Sequence, residues 1–122
     1  MSEQADPSSD IFVCNADTLW TELGGGVRRK VLTYDAGVMM VRVEFETGAI
    51  GSPHCHPHVQ CTFVEHGAFD VVIAGRAARL VAGDSFIVPP NAIHGVVCVE
   101  AGRLLDTFTP ARRDFIDRDS IS

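Results

Sequence analysis

The chain has 122 residues, of which 46% are hydrophobic and 21% are charged, and its formal net charge at pH 7 is -6. This length suits one globular domain, and the hydrophobic share is too high for a disordered chain. The acidic balance argues against a nucleic-acid partner, because phosphate binding requires clustered lysines and arginines. No apolar run reaches the roughly 20 residues that span a bilayer, so we expect no membrane partner.

The first ten residues are polar and acidic. They contain neither the basic nor the apolar segment of a secretory signal, so we interpret residues 1–10 as a flexible tail and residues 11–122 as a single domain. The cysteines form no C-x-x-C pair and stand at Cys14, Cys55, Cys61 and Cys98. Without a secretory signal we expect reduced, mostly buried thiols in a cytoplasmic protein.

Short β-type runs separated by turn residues dominate the chain. A single helical turn is predicted first, at residues 18–23, before three consecutive glycines. Strands are then predicted at residues 27–34, 38–46, 59–65, 69–74, 77–81, 86–88, 95–100 and 103–108. Apolar and charged residues alternate within 38–46, which is typical of a half-buried strand. A last short helix is predicted at residues 111–116, with Pro110 near its first turn. Such a series predicts an antiparallel sandwich or barrel.

One histidine-rich stretch carries most of the candidate chemistry. His54 and His56 project to the same side of an extended chain, because side chains two residues apart share a face. Imidazole nitrogen binds several transition metals, and the amide oxygen of Gln60 is a hard, neutral ligand. A third histidine, His94, follows the turn at residues 89–91, and an antiparallel barrel would bring it beside the first pair. We therefore predict one divalent ion held by these four side chains. Alternatively, Gln60 only hydrogen bonds to a strand neighbour.

Two separated motifs resemble those of the cupin superfamily. The first motif reads Gly48-x5-His54-x-His56-x3-Gln60-x6-Gly67. The second motif reads Gly83-x5-Pro89-x-Asn91-x2-His94. This resemblance implies an all-β, double-stranded β-helix, the cupin jelly-roll barrel, here with a short C-terminal extension. It implies no particular reaction, because the superfamily includes enzymes, sugar binders, regulators and storage proteins.

Three positions in these motifs depart from the usual cupin residues. Gln60 replaces the more common glutamate, Asn91 replaces a glycine and Cys98 replaces an asparagine. With glutamine the predicted ligand set is neutral, so a bound Ni, Zn, Fe or Mn ion would keep its full charge and act as a strong Lewis acid. Such an ion favours an anionic small-molecule substrate, whose own carboxylate could supply the missing negative charge.

The late segment from Asp106 to Arg112 resembles that of the KdgF group, small cupins of pectin and alginate degradation. The resemblance implies conversion of a 4,5-unsaturated monouronate to its linear keto form by Lewis-acid and general acid/base chemistry. It implies that Asp106 is a general acid or base, that Phe108 is an apolar wall and that Arg112 binds the substrate carboxylate. The alternatives are a surface salt bridge between Asp106 and Arg112, and core packing for Phe108.

Other function classes stay open at this point. Three neutral histidines also suit dioxygen chemistry on Fe(II), so another cupin enzyme, a dioxygenase or isomerase, is an alternative. A non-catalytic module that binds a small carbohydrate or acid is the third hypothesis. Small cupins commonly pair, and we expect a homodimer through edge strands.

Other candidate side chains are interpreted without a role in chemistry. We expect His58 and His66 to be exposed, although His58 could lie at the rim of the site. Cys55 and Cys61 are interpreted as packing residues, and Cys98 as unligated. Trp20 and Tyr34 are interpreted as core or dimer packing.

Overall fold

The computed structural model describes residues 6–119, so half of the predicted tail (1–5) lies outside the described residues. The described chain begins with a 3₁₀ turn at Asn15–Asp17 and continues as β1 (Thr21–Gly24), β2 (Val27–Tyr34), β3 (Met39–Phe45), β4 (Ile50–His54), β5 (Val59–Ile73), β6 (Arg76–Val81), β7 (Ser85–Val88), β8 (His94–Thr109) and α1 (Arg113–Asp119). Within these residues no helix is long and apolar enough to cross a membrane.

Two long strands organise the barrel. β5 and β8 pair antiparallel along their whole length, from Val59 opposite Thr109 to Ile73 opposite His94. The other edge of β5 pairs with β7 and then β6, while the other edge of β8 pairs with β4 and then β3. β2 and β1 extend the sheet beyond β3. The predicted all-β double-stranded β-helix is therefore confirmed.

Two predicted turns are internal irregularities of these long strands. The sequence predicts separate strands on either side of Gly67 and of Gly102, but each pair forms one strand. Gly67 adopts a φ of +82°, and a Cβ atom there would lie 2.5 Å from the carbonyl oxygen of Glu100. The backbones of β5 and β8 approach each other so closely at this bulge that only glycine fits. The glycines that resemble turn residues therefore bend the paired strands without ending them.

Both helix predictions need correction. Residues 18–23 do not form a helical turn, because Thr21 begins β1 and pairs with Arg29 of β2. One isolated turn has little stability of its own, so sheet pairing decides the conformation. The C-terminal helix exists, but it begins at Arg113, and Pro110 therefore lies before the helix rather than in its first turn. Strand β4 was not predicted, since Gly51 and Pro53 within it are poor strand formers.

The barrel interior contains two apolar clusters. One surrounds Phe45 and Phe69, whose rings meet edge to face at a centroid distance of 5.2 Å. The other joins Met39, Val41 and Phe108 to the segment that carries α1. Inward-facing polar side chains share the barrel interior with these clusters, which places the candidate site inside the barrel.

Candidate metal centre

The three predicted histidines converge at one end of the barrel. His54 ends β4 and lies directly opposite His94, the first residue of β8. His56 follows in the next loop, whose position is fixed by a 2.8 Å hydrogen bond from the backbone N–H of Asn91 to the His56 carbonyl. One ring nitrogen from each histidine lies within 4.8 Å of the other two, so the three side chains could hold one metal ion.

Backbone contacts determine which ring nitrogen of each histidine faces the centre. The Nδ1 atoms of His54, His56 and His94 lie 2.8, 3.1 and 2.9 Å from the carbonyl oxygens of Ser52, His58 and Ala92. A carbonyl oxygen only accepts, so each Nδ1 carries the proton and each neutral ring keeps a lone pair on Nε2. Burial lowers the pKa of His94, although its bond to the Ala92 carbonyl opposes this, and the neutral form is favoured.

The amide of Gln60 completes a donor set that suits a cation. Its Oε1 atom lies 3.1 Å from Nε2 of His56, so that two lone-pair atoms face each other. Nε2 of His94 is buried and has no hydrogen-bond partner in the described chain. A divalent ion among these atoms would satisfy all of them, and the hydrogen bonds at Nδ1 would orient the rings as in many histidine-bound metal sites. The predicted residues therefore fit a metal.

A buried carboxyl lies directly behind Gln60. Asp106 faces inward from β8 and accepts a 2.6 Å hydrogen bond from the hydroxyl of Thr62. Burial raises the pKa of this carboxyl to about 6, although the Thr62 hydrogen bond and the positive charge of Arg112 oppose the rise. A group with such a pKa exchanges protons readily near neutral pH. The alternative of a surface salt bridge is wrong for Asp106, because the carboxyl is buried.

Two arginines reach the same cavity, which has a volume of about 330 Å³. The guanidinium of Arg112 forms two hydrogen bonds with the carboxylate of Asp114, at 2.9 and 3.1 Å, and its side chain is only 12% exposed. Arg29 enters from β2 and is 7% exposed. Both guanidinium groups stack on the ring of Phe115, at 4.1 and 3.8 Å from its centroid. The ring of Phe108 meets Phe115 edge to face, so it belongs to both the cavity wall and the core.

The comparison with known families agrees with this geometry. The cupin domain family matches residues 41–108, which hold the four candidate ligands and Asp106. The chain belongs to the cupin family.

Three relatives of this cupin share nearly its full length. The curated pectin degradation protein KdgF of Dickeya dadantii (strain 3937) is 47% identical over 107 residues, which cover 86% of this chain and 97% of that protein. The crystal structure of an RmlC-like cupin from Shewanella frigidimarina NCIMB 400 has a TM-score of 0.86 at 42% identity, covering 88% of this chain and 97% of that one. The structure of KdgF from a Halomonas species has a TM-score of 0.82 at 37% identity, covering 85% and 98%.

The remaining histidines and cysteines of the cupin depart in part from expectation. His58 is half-buried rather than exposed, and its ring contacts those of His56 and Phe108, so it lies at the rim of the site. His66 is exposed, as predicted. The packing interpretation is wrong for Cys55 and Cys61, which are exposed, because they face away from the interior and nothing in the described chain covers that side.

Cys98 is buried in the apolar cluster around Phe69 and donates a 3.0 Å hydrogen bond from its thiol to the carbonyl of Glu100. The Cys98 thiol is not part of the histidine group.

Four residues of this cupin site were not predicted: Arg29, Thr62, Asp114 and Phe115. Arg29 did have a sequence signal, because it shares one face of the predicted strand with Val27 and Val31, which pack against the two apolar clusters. Asp114 and Phe115 carry no comparable sequence signal, since only the fold of α1 back onto the barrel brings them to the cavity.

Proposed function

We propose that this cupin is a metal-dependent enzyme that converts a 4,5-unsaturated monouronate into its linear keto form. The observation that supports this most directly is that a protonatable carboxyl and two arginines line one cavity together with His54 and His94, whose ring nitrogens lie within 4.8 Å of that of His56. The 47% identity to a pectin degradation protein, over nearly all of both chains, supports the same substrate class.

The reaction is an isomerisation that needs no co-reactant. In the ring form, a C4–C5 double bond adjoins the ring oxygen, and C1 carries a hemiacetal hydroxyl. Loss of the hydroxyl proton breaks the bond between C1 and the ring oxygen, which gives an aldehyde at C1 and an enolate at C5. Addition of one proton at C4 then gives the ketone at C5. One proton leaves oxygen and one arrives at carbon, so a single acid/base group can serve both steps.

Asp106 is the group we assign to this proton transfer. As a carboxylate it accepts the proton of the C1 hydroxyl, and as an acid it returns a proton to C4. Its raised pKa keeps both forms accessible near pH 6. A metal held by His54, His56, His94 and Gln60 would supply Lewis-acid stabilisation of negative charge on substrate oxygen.

Arg112 is the group we assign to the substrate carboxylate. Its planar guanidinium can bind a carboxylate with two parallel hydrogen bonds, and Asp114 holds it at the cavity wall. Arg29 adds a second positive charge to the cavity lining, so the cavity attracts anions. Phe108 offers an apolar surface to the sugar ring.

The test is turnover of purified unsaturated monouronate. We expect protein loaded separately with Ni, Zn, Fe(II) or Mn to accelerate the loss of the ultraviolet absorbance of the conjugated double bond. Proton NMR should then show the linear keto product. Treatment with a chelator should abolish the acceleration, and readdition of metal should restore it. If no metal-loaded form accelerates the reaction, the proposal is wrong, and oxygen consumption by the Fe(II) form would then test a dioxygenase.

The assembly and location that we propose follow from exposed groups. The outer face of the sheet exposes apolar side chains at Phe63 and Ile87, and the N-terminal segment exposes Ile11. One groove runs beside Ile11 and a second runs beside Phe63 and Ile87, and the two grooves share Thr107. A second copy of the chain could therefore cover the N-terminal segment and the outer face together. We therefore propose a homodimer.

The four free thiols fit a reducing compartment, which supports a cytoplasmic location.

A further inference from the structure

Thr62 lies between the candidate metal centre and the buried carboxyl. It faces inward from β5, two residues after Gln60 and directly opposite Asp106 on β8. The side chain is 1% exposed, and its hydroxyl is hydrogen bonded on both sides. It accepts a 2.9 Å bond from Nε2 of Gln60 and donates a 2.6 Å bond to Oδ1 of Asp106. Thr62 therefore links a candidate ligand to the candidate acid/base group.

The single proton of this hydroxyl gives the chain of hydrogen bonds a direction. Because Thr62 donates that proton to Asp106, it can only accept from Gln60, and the nitrogen of the amide must face it. The same nitrogen lies 3.4 Å from Oδ1 of Asp106, so both amide protons point to this side. The amide oxygen is consequently directed to the histidines. A rotated amide would place its oxygen against the carboxylate with no proton between them.

The carboxyl of Asp106 is fixed by the same bond. Oδ1 accepts from both Thr62 and Gln60, which leaves Oδ2 as the oxygen that can exchange a proton with a ligand in the cavity. We propose that Thr62 is a positioning residue, whose hydroxyl directs the Gln60 oxygen to the metal and Oδ2 of Asp106 to the substrate. The substrate half of this inference rests on the proposed function, whereas the metal half does not.

The role that we propose for Thr62 depends on its hydroxyl and not on the shape of its side chain. Valine has nearly the same shape as threonine but no hydroxyl, so Thr62→Val leaves the Gln60 amide free to rotate and Asp106 without its fixed bond. Serine keeps the hydroxyl and loses only a methyl group. Thr107, on the outward face of β8 beside Asp106, provides a matched control in Thr107→Val.

The experiment measures metal affinity and steady-state kinetics on the same four proteins. Calorimetric titration of the metal-free proteins with Zn or Ni should show about tenfold weaker binding for Thr62→Val than for the wild type. With unsaturated monouronate, kcat should fall about 10- to 100-fold while KM changes less than about twofold, because only orientation is lost. Thr62→Ser should restore both quantities, and Thr107→Val should change neither.

Two outcomes would overturn the inference. One is a folded Thr62→Val protein that keeps wild-type metal affinity and kcat, and the other is a Thr62→Ser protein as impaired as Thr62→Val. If the wild type itself shows no turnover, the proposed function fails, but the comparison of metal affinities still decides the role of Thr62.

A second variant serves if circular dichroism shows that Thr62→Val does not fold. Gln60→Glu has no N–H to donate, so two carboxylates compete for the one proton of Thr62. We expect this variant to retain metal, while its kcat falls about tenfold or more. An unchanged kcat would contradict the proposed orientation.

Discussion

At the scale of single residues, the histidine tautomers explain why this cavity suits a cation. Three backbone carbonyls hold the Nδ1 protons of His54, His56 and His94, so three lone pairs point to one place. With its proton on Nδ1, a neutral His56 ring places the Nε2 acceptor 3.1 Å from Oε1 of Gln60, which is also an acceptor. The protein thus keeps mutually repelling acceptors together, an arrangement that a bound metal would stabilise.

Loss of one ligand should therefore weaken metal binding far more than loss of an ordinary surface histidine. For His94→Ala we expect metal affinity to fall by more than about 100-fold, since even outer partners of a ligand contribute 10- to 100-fold. Elemental analysis after dialysis and calorimetric titration measure this change. His66→Ala is the matched control, because His66 is exposed and away from the centre. Equal metal content in the two variants would rule out His94 as a ligand.

The second prediction at this scale concerns Arg112. Removal of a bidentate, charge-assisted contact costs about 1.5–3 kcal/mol, so Arg112→Ala should raise KM about 10- to 100-fold. Arg112→Lys keeps the charge but loses the planar pair of donors, and it should recover only part of this loss. Steady-state kinetics on unsaturated monouronate measure both variants. A KM that stays at the wild-type value in Arg112→Ala would show that the substrate carboxylate binds elsewhere.

The sequence predicts some of these residues better than others. Histidines two apart on an extended segment share a face whatever the rest of the fold does, so His54 and His56 follow from local geometry. Thr62 and Arg29 follow only from alternation along strands whose inward face must first be known. Asp114 and Phe115 depend on where α1 packs, which is a tertiary property that no local pattern in the chain records.

At the scale of elements, the crossing of β5 and β8 decides the shape of the barrel. Each strand continues through a glycine, Gly67 or Gly102, so both long strands bend at the same level. Their N-terminal and C-terminal halves then belong to different parts of the jelly roll. This bend allows His94, at one end of β8, and Asp106, near the other, to line one cavity.

The close approach at Gly67 gives a stability prediction. Alanine there would be strained at φ +82°, and its Cβ would meet carbonyl oxygens of Glu100 and Ala101 at 2.5 and 2.6 Å. We expect Gly67→Ala to lower the free energy of unfolding by more than about 4 kcal/mol, or to prevent folding. Gly75 has nearly the same φ, +81°, but open space around it, so Gly75→Ala should cost only about 1–2 kcal/mol. Urea denaturation measures the difference, and equal losses would contradict the steric argument.

Element types were more predictable than element ends. Short β-type runs between turn residues identified every strand from β2 to β8 except β4, and alternation supported β3, because a half-buried strand needs one apolar face. The glycines at 67 and 102 were interpreted as turn residues, since a glycine looks the same in the sequence whether the chain reverses or the strand bulges. The predicted first helix had one turn and no partner, and pairing with β2 made that segment a strand.

At the scale of the whole molecule, the cavity and the surface carry different chemistry. The interior holds two arginines and neutral ligands within a chain whose net charge is -6. The negative surface therefore does not attract an anionic substrate, and the attraction must come from inside the barrel. Both guanidinium groups contact the ring of Phe115, which packs against Phe108, so α1 holds the cationic wall in place.

The exposed outer face gives the last prediction. Ile87 is 58% exposed beside Phe63 on this face, while Val81, on the edge strand β6, is 51% exposed. If a second copy covers the face, Ile87→Lys places a charge in the interface and should convert the dimer to a monomer. Val81→Lys should leave the dimer intact, whereas the reverse result would favour pairing through edge strands. Sedimentation velocity over a range of concentrations distinguishes these cases. A wild-type protein that stays monomeric at every concentration would refute both modes of association.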